Sequence, residues 1–247
     1  MKITGYAVMS DIHGNLQALE SVSEDLLLFD IRGILLLGDL IDYGMQSNET
    51  VAFLRENITD RYTVFCNIRG NHERAVLDEF FEGFSSARGQ ESARFTASVL
   101  NEKSRGYLQD ALTPEGQTVF ELDGKKCLAI HGSLQDPYWK AIAPGQLGGD
   151  YRDYDMVLSG HSHLPHFFAN YYETQDALYR NRKKTVFLNP GSVGQPRNHD
   201  PRANYAIWEP ETGECLMRSV SYDVEKAMSH FHGQVDDFYR SRLQIGI

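Results

Sequence analysis

Side chains able to bind cations recur wherever an apolar run of this chain stops. Asp11 and His13 follow residues 6–9, Asp39 and Asp42 follow 34–37, and Asn71 and His72 follow 62–66. His131 follows 126–130, and His161 and His163 follow 156–158. Carboxylates, an amide and imidazoles without sulfur form a hard to borderline O/N donor set. Such a set suits manganese, with iron, zinc, cobalt or nickel as alternatives, and argues against a structural zinc cage or an iron–sulfur cluster. Residues two apart in extended chain share a face, so Asp11 and His13 are expected to grip one ion from one side, and His161 and His163 repeat the spacing. The seven donors Asp11, His13, Asp39, Asn71, His131, His161 and His163 exceed what one ion needs, which predicts two. Two dications about 4 Å apart repel by roughly 15–20 kcal/mol at an effective dielectric near 20. A shared carboxylate and a bridging hydroxide are therefore required between them. Two aspartates and one hydroxide leave such a cluster near +1, which draws an anionic phosphate to an otherwise acidic protein.

Bringing these donors to one rim requires strands whose carboxyl ends point the same way. The pattern predicts strands at 6–9, 34–37 and 62–66 alternating with helices at 16–28, capped by Asn15, and at 48–56: a parallel βαβαβ start. Residues 75–113 show helical spacing, with Ala75, Leu77, Phe80, Phe81 and Phe84 first and Phe95, Val99 and Leu100 later, and are expected to form a helical insert that could cover the site. Strands follow at 118–122 and 126–130 around Asp123-Gly124, a type I′ hairpin signal. Further strands are expected at 156–158, 167–172, 185–188, 205–208 and 215–220, then a helix at 224–231. A parallel half followed by a strand-rich half predicts a mixed α/β fold of two packed sheets flanked by helices. No repeat or linker divides the chain, so residues 1–247 are read as one domain.

Asp11-Ile12-His13-Gly14-Asn15, Gly38-Asp39-Leu40-Ile41-Asp42, Gly70-Asn71-His72-Glu73, His131-Gly132 and Gly160-His161-Ser162-His163 together resemble the five signature blocks of calcineurin-like metallophosphoesterases, in the family's order. Asn189-Pro190-Gly191-Ser192 is similar to the C-terminal loop of the small, stand-alone prokaryotic phosphodiesterase branch. The resemblance implies a four-layer sandwich of two mixed sheets between helices. It implies that Asp11, His13 and His163 hold one metal, that Asp39 bridges, and that Asn71, His131 and His161 hold the other. It also implies His72 as the general acid and Asp42 as the carboxylate that orients it. The reaction expected is hydrolysis of a phosphodiester or small phosphorylated metabolite by a metal-bridged hydroxide, with His72 protonating the leaving oxygen. A protein phosphatase or dinucleoside polyphosphate hydrolase is the alternative. Those relatives usually read GDxVDRG, and Tyr43 stands here in place of the arginine, although Glu73 matches their spelling. A non-catalytic scaffold of the same fold is the third reading, and no donor is missing to favour it.

The chain carries 24 Lys+Arg against 34 Asp+Glu, net −10, which excludes a general groove for duplex nucleic acid. Cys66, Cys127 and Cys215 lie far apart in apolar surroundings and read as reduced core thiols. With no address motif and no apolar run long enough to span a membrane, the cytoplasm is the expected compartment. Around the site, Asn15 and Arg197 are candidate substrate contacts, His166 and His199 weaker ones. Tyr138-Trp139 is a rim pair able to stack a base, and His230 and His232 are expected at the surface.

Overall fold

The computed structural model describes residues 3–247. Two mixed five-stranded sheets lie face to face, flanked by helices. In chain order the elements are β1 (Thr4–Met9), α1 (Leu16–Leu26), β2 (Asp30–Leu36), α2 (Ser47–Leu54), β3 (Val64–Asn67), α3 (Asn71–Leu77), α4 (Ala87–Val99) and α5 (Glu102–Ala111). Then come β4 (Gln117–Leu122), β5 (Lys125–Ile130), β6 (Met156–Ser159), β7 (His166–Glu173), β8 (Arg182–Asn189), β9 (Ala203–Glu209), β10 (Glu214–Val220), α6 (Val224–Ser229) and α7 (Phe238–Ser241). One sheet has the order β10-β9-β1-β2-β3, the other β4-β5-β6-β8-β7.

The division of the chain between sheets differs from the expected one. β9 and β10 return from the strand-rich half to pair antiparallel beside β1, while β5, β6 and β8 run parallel in the second sheet. The return covers the apolar edge of β1, which would otherwise stand open. The Asp123-Gly124 turn is as expected, with φ of 47° and 71°.

Apolar periodicity explains the packing. Leu19, Val22 and Leu26 of α1 are fully buried against the first sheet, each contributing about 1.5–3 kcal/mol. The helix stops short of the predicted end, so Leu27 and Leu28 are exposed. Val8, Leu35, Leu37, Leu158, Leu188 and Cys127 fill the layer between sheets, with Cys66 beside them. Burial there pushes the thiols of Cys66 and Cys127 up to about 12, which fits inert packing; Cys215 is half-buried. The outer face of the second sheet meets Ile142 and Tyr151 from the 131–155 connection. Among the described residues no helix is long and apolar enough to cross a membrane.

Register delivers the site. Met9 pairs with Leu36, Leu36 with Asn67, Ile130 with Ser159 and Leu158 with Leu188, so both sheets end their parallel strands on one rim. Residues 11–13, 39–42, 71–72, 131 and 161–163 leave the strands there.

Candidate metal centre

Six of the residues of interest adopt left-handed backbone: Asp11 (φ 55°), His13 (50°), Asp39 (55°), Asp42 (72°), His161 (64°) and His163 (59°). Each such conformation costs about 1–3 kcal/mol outside glycine, and concentrations of it mark functional loops. The expected extended Asp-x-His strand is therefore replaced by a coiled turn, held by Asp11 N–H to Gly38 O (3.0 Å) and His13 N–H to Asp39 O (3.0 Å). His161 and His163 likewise do not share a face. His163 turns to Asp11 and His13, whereas His161 turns to Asn71.

The carboxylates are half committed. Asp11 Oδ2 accepts from His161 N–H at 3.2 Å, and Asp39 Oδ1 accepts from His72 N–H at 2.9 Å. Their other oxygens face inward. Asp11 Oδ1 is buried without a hydrogen-bond donor and lies 3.2 Å from His163 Nε2. Asp39 Oδ2 lies 3.2 Å from His131 Nε2 and 3.8 Å from His13 Nε2, between two groups of imidazoles. Asn71 Oδ1 is 3.0 Å from His131 Nε2 and 2.9 Å from His161 Nδ1. Donor atoms of Asp11, His13 and His163, and separately of Asp39, His131 and His161, converge within 4.8 Å of one another.

The imidazoles are oriented by backbone. Carbonyl oxygens of Ile41 (3.3 Å), Leu37 (2.7 Å) and Gln195 (2.5 Å) accept from Nδ1 of His13, His131 and His163, turning each Nε2 toward the centre, as a lone pair in the neutral rings of His13 and His163. His13 Nε2 and His163 Nε2 then face each other at 3.1 Å. Burial, reinforced by neighbouring cationic groups, holds His13 far below its ordinary value, His161 at about 3 and His163 at about 4, so these rings are neutral. Burial alone would do the same to His131, but Asp39 overrides it and raises that ring to about 9. Burial opposes ionisation of Asp11 and Asp39 as well, yet the surrounding histidines keep both below the usual carboxylate range. Buried carboxylate oxygens and inward lone pairs with too few protons among them fit divalent cations.

His72 is built differently. Its Nδ1 is 2.7 Å from Asp42 Oδ2, and its Nε2 points inward, 3.9 Å from Asp39 Oδ2. Burial would lower its pKa, but Asp39 and the bond to Asp42 raise it. Asp42 Oδ1 accepts from Ser92 Oγ (2.7 Å) and Thr96 Oγ1 (2.8 Å), one turn apart on α4. The 75–113 segment thus reaches the site through hydroxyls, which its aromatic pattern did not foretell.

Glu73 joins the loops. Its carboxylate accepts from the backbone N–H of Asp39 (2.8 Å), Leu40 (2.7 Å), Ile41 (3.2 Å) and Gly70 (2.8 Å). A glutamate three residues after the helix cap is a readable capping signal, though its reach to the 39–41 loop is not. Gly70 is obligatory, since a Cβ there would meet Asp39 Oδ1 at 2.1 Å. From the other side Ser192 Oγ donates to Asp11 O (2.7 Å) and Asn189 Nδ2 to Gly160 O (2.8 Å).

A cavity of about 410 Å³ opens over the cluster, lined by Asp39, Asn71, His72, His161 and His163 together with Tyr43, Phe84, Ser85, Ser86, Trp139 and Arg197. Arg197 is where a substrate contact is expected. Asn15 is not: its Oδ1 accepts from Ala18 N–H (3.1 Å) and its Nδ2 donates to Gly194 O (2.8 Å), so the amide is consumed as a helix cap. His166 and His199 are outside the lining, and His230 caps α6. Trp139 packs edge-on to Phe84 at 5.0 Å, and Phe84 to His72 at 4.9 Å. Tyr43, buried at 8% exposure, stacks on Tyr239 at 4.4 Å, a contact from the C-terminal segment without a sequence signal.

Two sheets whose parallel strand ends gather O and N donors into a buried cluster define a class of α/β sandwich proteins equipped to bind metal. Within it the comparisons are specific. The sequence profile of the calcineurin-like phosphoesterase superfamily domain matches residues 1–213, and the chain belongs to that superfamily. An uncharacterized protein of Methanocaldococcus jannaschii is 31% identical over 97% of each chain. The crystal structure of a metallophosphoesterase from Sphaerobacter thermophilus superposes with TM-score 0.74 at 24% identity, covering 99% of this chain and 100% of that one. A hypothetical protein from Pyrococcus horikoshii OT3 gives TM-score 0.80 at 20% identity over 99% of both chains. These solved structures establish the fold.

Proposed function

We propose that this chain is a two-metal phosphoesterase of phosphodiesters or small phosphorylated metabolites, built as one domain in which the 75–113 segment serves the site. The observation that carries the reading is the approach of His13 Nε2 and His163 Nε2 to 3.1 Å while both Nδ1 atoms are committed to backbone oxygens. Two lone pairs face each other with no proton to share. A cation between them turns repulsion into binding. Asp11, His13 and His163 with Asp39 would hold one ion, and Asp39 with Asn71, His131 and His161 the other, manganese being the first expectation. Bound there, divalent ions supply Lewis acidity toward phosphoryl oxygens and make water a stronger acid.

The protein's own groups do the rest. His72 keeps a proton at Nε2 and delivers it to the leaving oxygen, a role worth about 10²–10⁴-fold. Asp42 fixes the ring by holding Nδ1. Phe84 and Trp139 wall the cavity on the His72 side and exclude water from the leaving group. Arg197 offers a guanidinium to anionic oxygens. The phosphatase or dinucleoside polyphosphate hydrolase alternative loses support at Tyr43, whose ring stands beside His13 and His72 where that reading requires an arginine.

Hydrolysis of bis(p-nitrophenyl) phosphate and p-nitrophenyl phosphate by the manganese-loaded protein tests this. Turnover of the diester is expected. Preference for the monoester moves the protein to the phosphatase reading, and inactivity with every candidate metal despite measured binding of two ions removes the enzyme reading in favour of a scaffold.

A further inference from the structure

Three guanidinium groups from distant segments gather beside the cavity, and among the described residues none of them pairs with an aspartate or glutamate side chain. Arg197 lines the cavity, and its Nε is buried without a hydrogen-bond partner. Arg242 is only 6% exposed; its Nε donates to an oxygen of Ile247, the last residue of the chain, and its guanidinium lies 4.8 Å from the centre of the Phe238 ring. Arg88, in the first turn of α4, stands 4.0 Å from the same ring. The neighbouring Tyr239 stacks on Tyr43, which lines the cavity, so this cluster and the metal-ligand cluster share a wall.

Eight of the other thirteen arginines form ion pairs with aspartate or glutamate and five form none; among the described residues Arg88, Arg197 and Arg242 also form none, and they differ in being gathered beside one cavity in a chain of net charge −10. The charges crowd one another. Burial, and next the charge of Arg197, pushes Arg242 down to about 10. An aromatic face attracts a guanidinium without cancelling its charge. Half-buried like charges lose hydration and repel, and a multiply charged anion reverses both losses. Ser85 and Ser86, at the N-terminus of the thirteen-residue α4, line the cavity nearby and add a positive helix end. Arginine is also the side chain whose planar fork matches phosphate oxygens in pairs.

We propose that Arg197, Arg242 and Arg88 form a second anion subsite beside the metal-ligand cluster, and that the substrate carries a second phosphate-class group in addition to the phosphoryl group that is cleaved. The charge cluster stands on its own geometry; only its assignment to a substrate rests on the phosphoesterase reading. A dinucleotide fragment or a bisphosphorylated metabolite fits this chemistry, and an uncharged diester fits it least.

Calorimetric titration of the manganese-loaded protein with thymidine 3′,5′-bisphosphate and thymidine 5′-monophosphate tests the subsite. The bisphosphate is expected to bind at least about tenfold tighter, with the advantage shrinking in 0.5 M salt. Arg197→Ala is expected to reduce the advantage below about threefold, and Arg88→Ala, an exposed position, to reduce it partly. Equal affinity for the two ligands, or a full advantage retained in Arg197→Ala, overturns the proposal. Turnover of the p-nitrophenyl ester of thymidine 5′-phosphate, with and without a 3′-phosphate, separates the two readings. Hydrolysis without preference for the 3′-phosphate removes the subsite and leaves the phosphoesterase. Bisphosphate preference without hydrolysis of either ester leaves the subsite and removes the phosphoesterase.

Discussion

The candidate metal-ligand cluster and the His72–Asp42 pair approach to 3.9 Å, yet the second leans on side chains of α4 where the first does not. Five of the seven candidate ligands, Asp11, His13, Asp39, His161 and His163, sit in left-handed turns, and backbone braces much of the cluster: N–H groups fix one oxygen of Asp11 and of Asp39, and carbonyls fix His13, His131 and His163. Asp42 accepts one backbone N–H, from Tyr43, and is steadied in addition by two hydroxyls of α4, fifty and fifty-four residues further along the chain. Backbone bracing survives almost any side-chain change elsewhere. Side-chain bracing can be removed one atom at a time, so in the proposed mechanism the acid is open to tuning without disturbance of the ions.

The largest effect is expected where that bracing meets the ions. Asp39→Asn keeps an oxygen for the His72 N–H but removes the charge shared between both imidazole groups. Elemental analysis should show fewer than two ions per chain, and turnover should fall by more than about 10³-fold, the several kcal/mol that metal stabilisation supplies. His72→Ala should behave in the opposite way. Both ions remain, and the rate falls about 10²–10⁴-fold for poor leaving groups while p-nitrophenolate esters, which need little protonation, lose far less. A His72→Ala protein without metal would show that His72 belongs to the ligand set and is not a separate acid.

What could be read from sequence follows the same division. Strand ends are local: an apolar run, then Asp, His or Asn with a glycine beside it, so all seven ligand candidates and the strands beneath them are legible, though not which sheet β9 and β10 join. The mechanism assumed for their alignment was not, because a two-residue spacing looks identical in extended and left-handed chain, and only the fold distributes His161 and His163 to different neighbours. The supports of Asp42 were illegible for a different reason. Ser92 and Thr96 sit in a helix of ordinary composition, and nothing local shows that their face meets a carboxylate rather than water. Tyr239 and Arg242 were missed likewise, since the C-terminal segment carries no periodic pattern and is placed by its contact with Tyr43.

Ser92→Ala and Thr96→Val are expected to act more weakly. Each removes one donor to Asp42 Oδ1 while leaving Tyr43 N–H, which also donates to that oxygen at 2.7 Å. At about 1 kcal/mol per hydrogen bond, each change should slow hydrolysis of alkyl esters roughly fivefold, with the double variant slower still. The loss should be confined to kcat and should grow as the leaving group becomes more basic, because the change reaches the reaction only through His72. Metal content should stay at the wild-type value. Equal loss across all leaving groups would mean that α4 supports the whole site rather than its acid.

The smallest effect is expected far from the rim, where a charged network serves stability alone. Asp25 on α1 accepts from Arg218 (2.7 and 3.0 Å) on β10 and from Tyr205 (2.6 Å) on β9, tying the helix to the returning strands. Partial burial works to raise its pKa, but the bonds from Arg218 and Tyr205 outweigh burial and lower it. A carboxyl with a depressed folded-state pKa contributes stability that is complete above the ordinary carboxylate range and disappears as pH falls through the folded value. Asp25→Asn should therefore cost roughly 1 kcal/mol at pH 7, a Tm decrease of about 2–4 °C, and the wild-type and variant curves should converge as the pH falls below the ordinary carboxylate range. Turnover at pH 7 and 25 °C should be unchanged. A Tm difference that persists undiminished in acid would show that shape rather than charge holds α1 to β10, and would leave charge-based bracing as a property of the site alone.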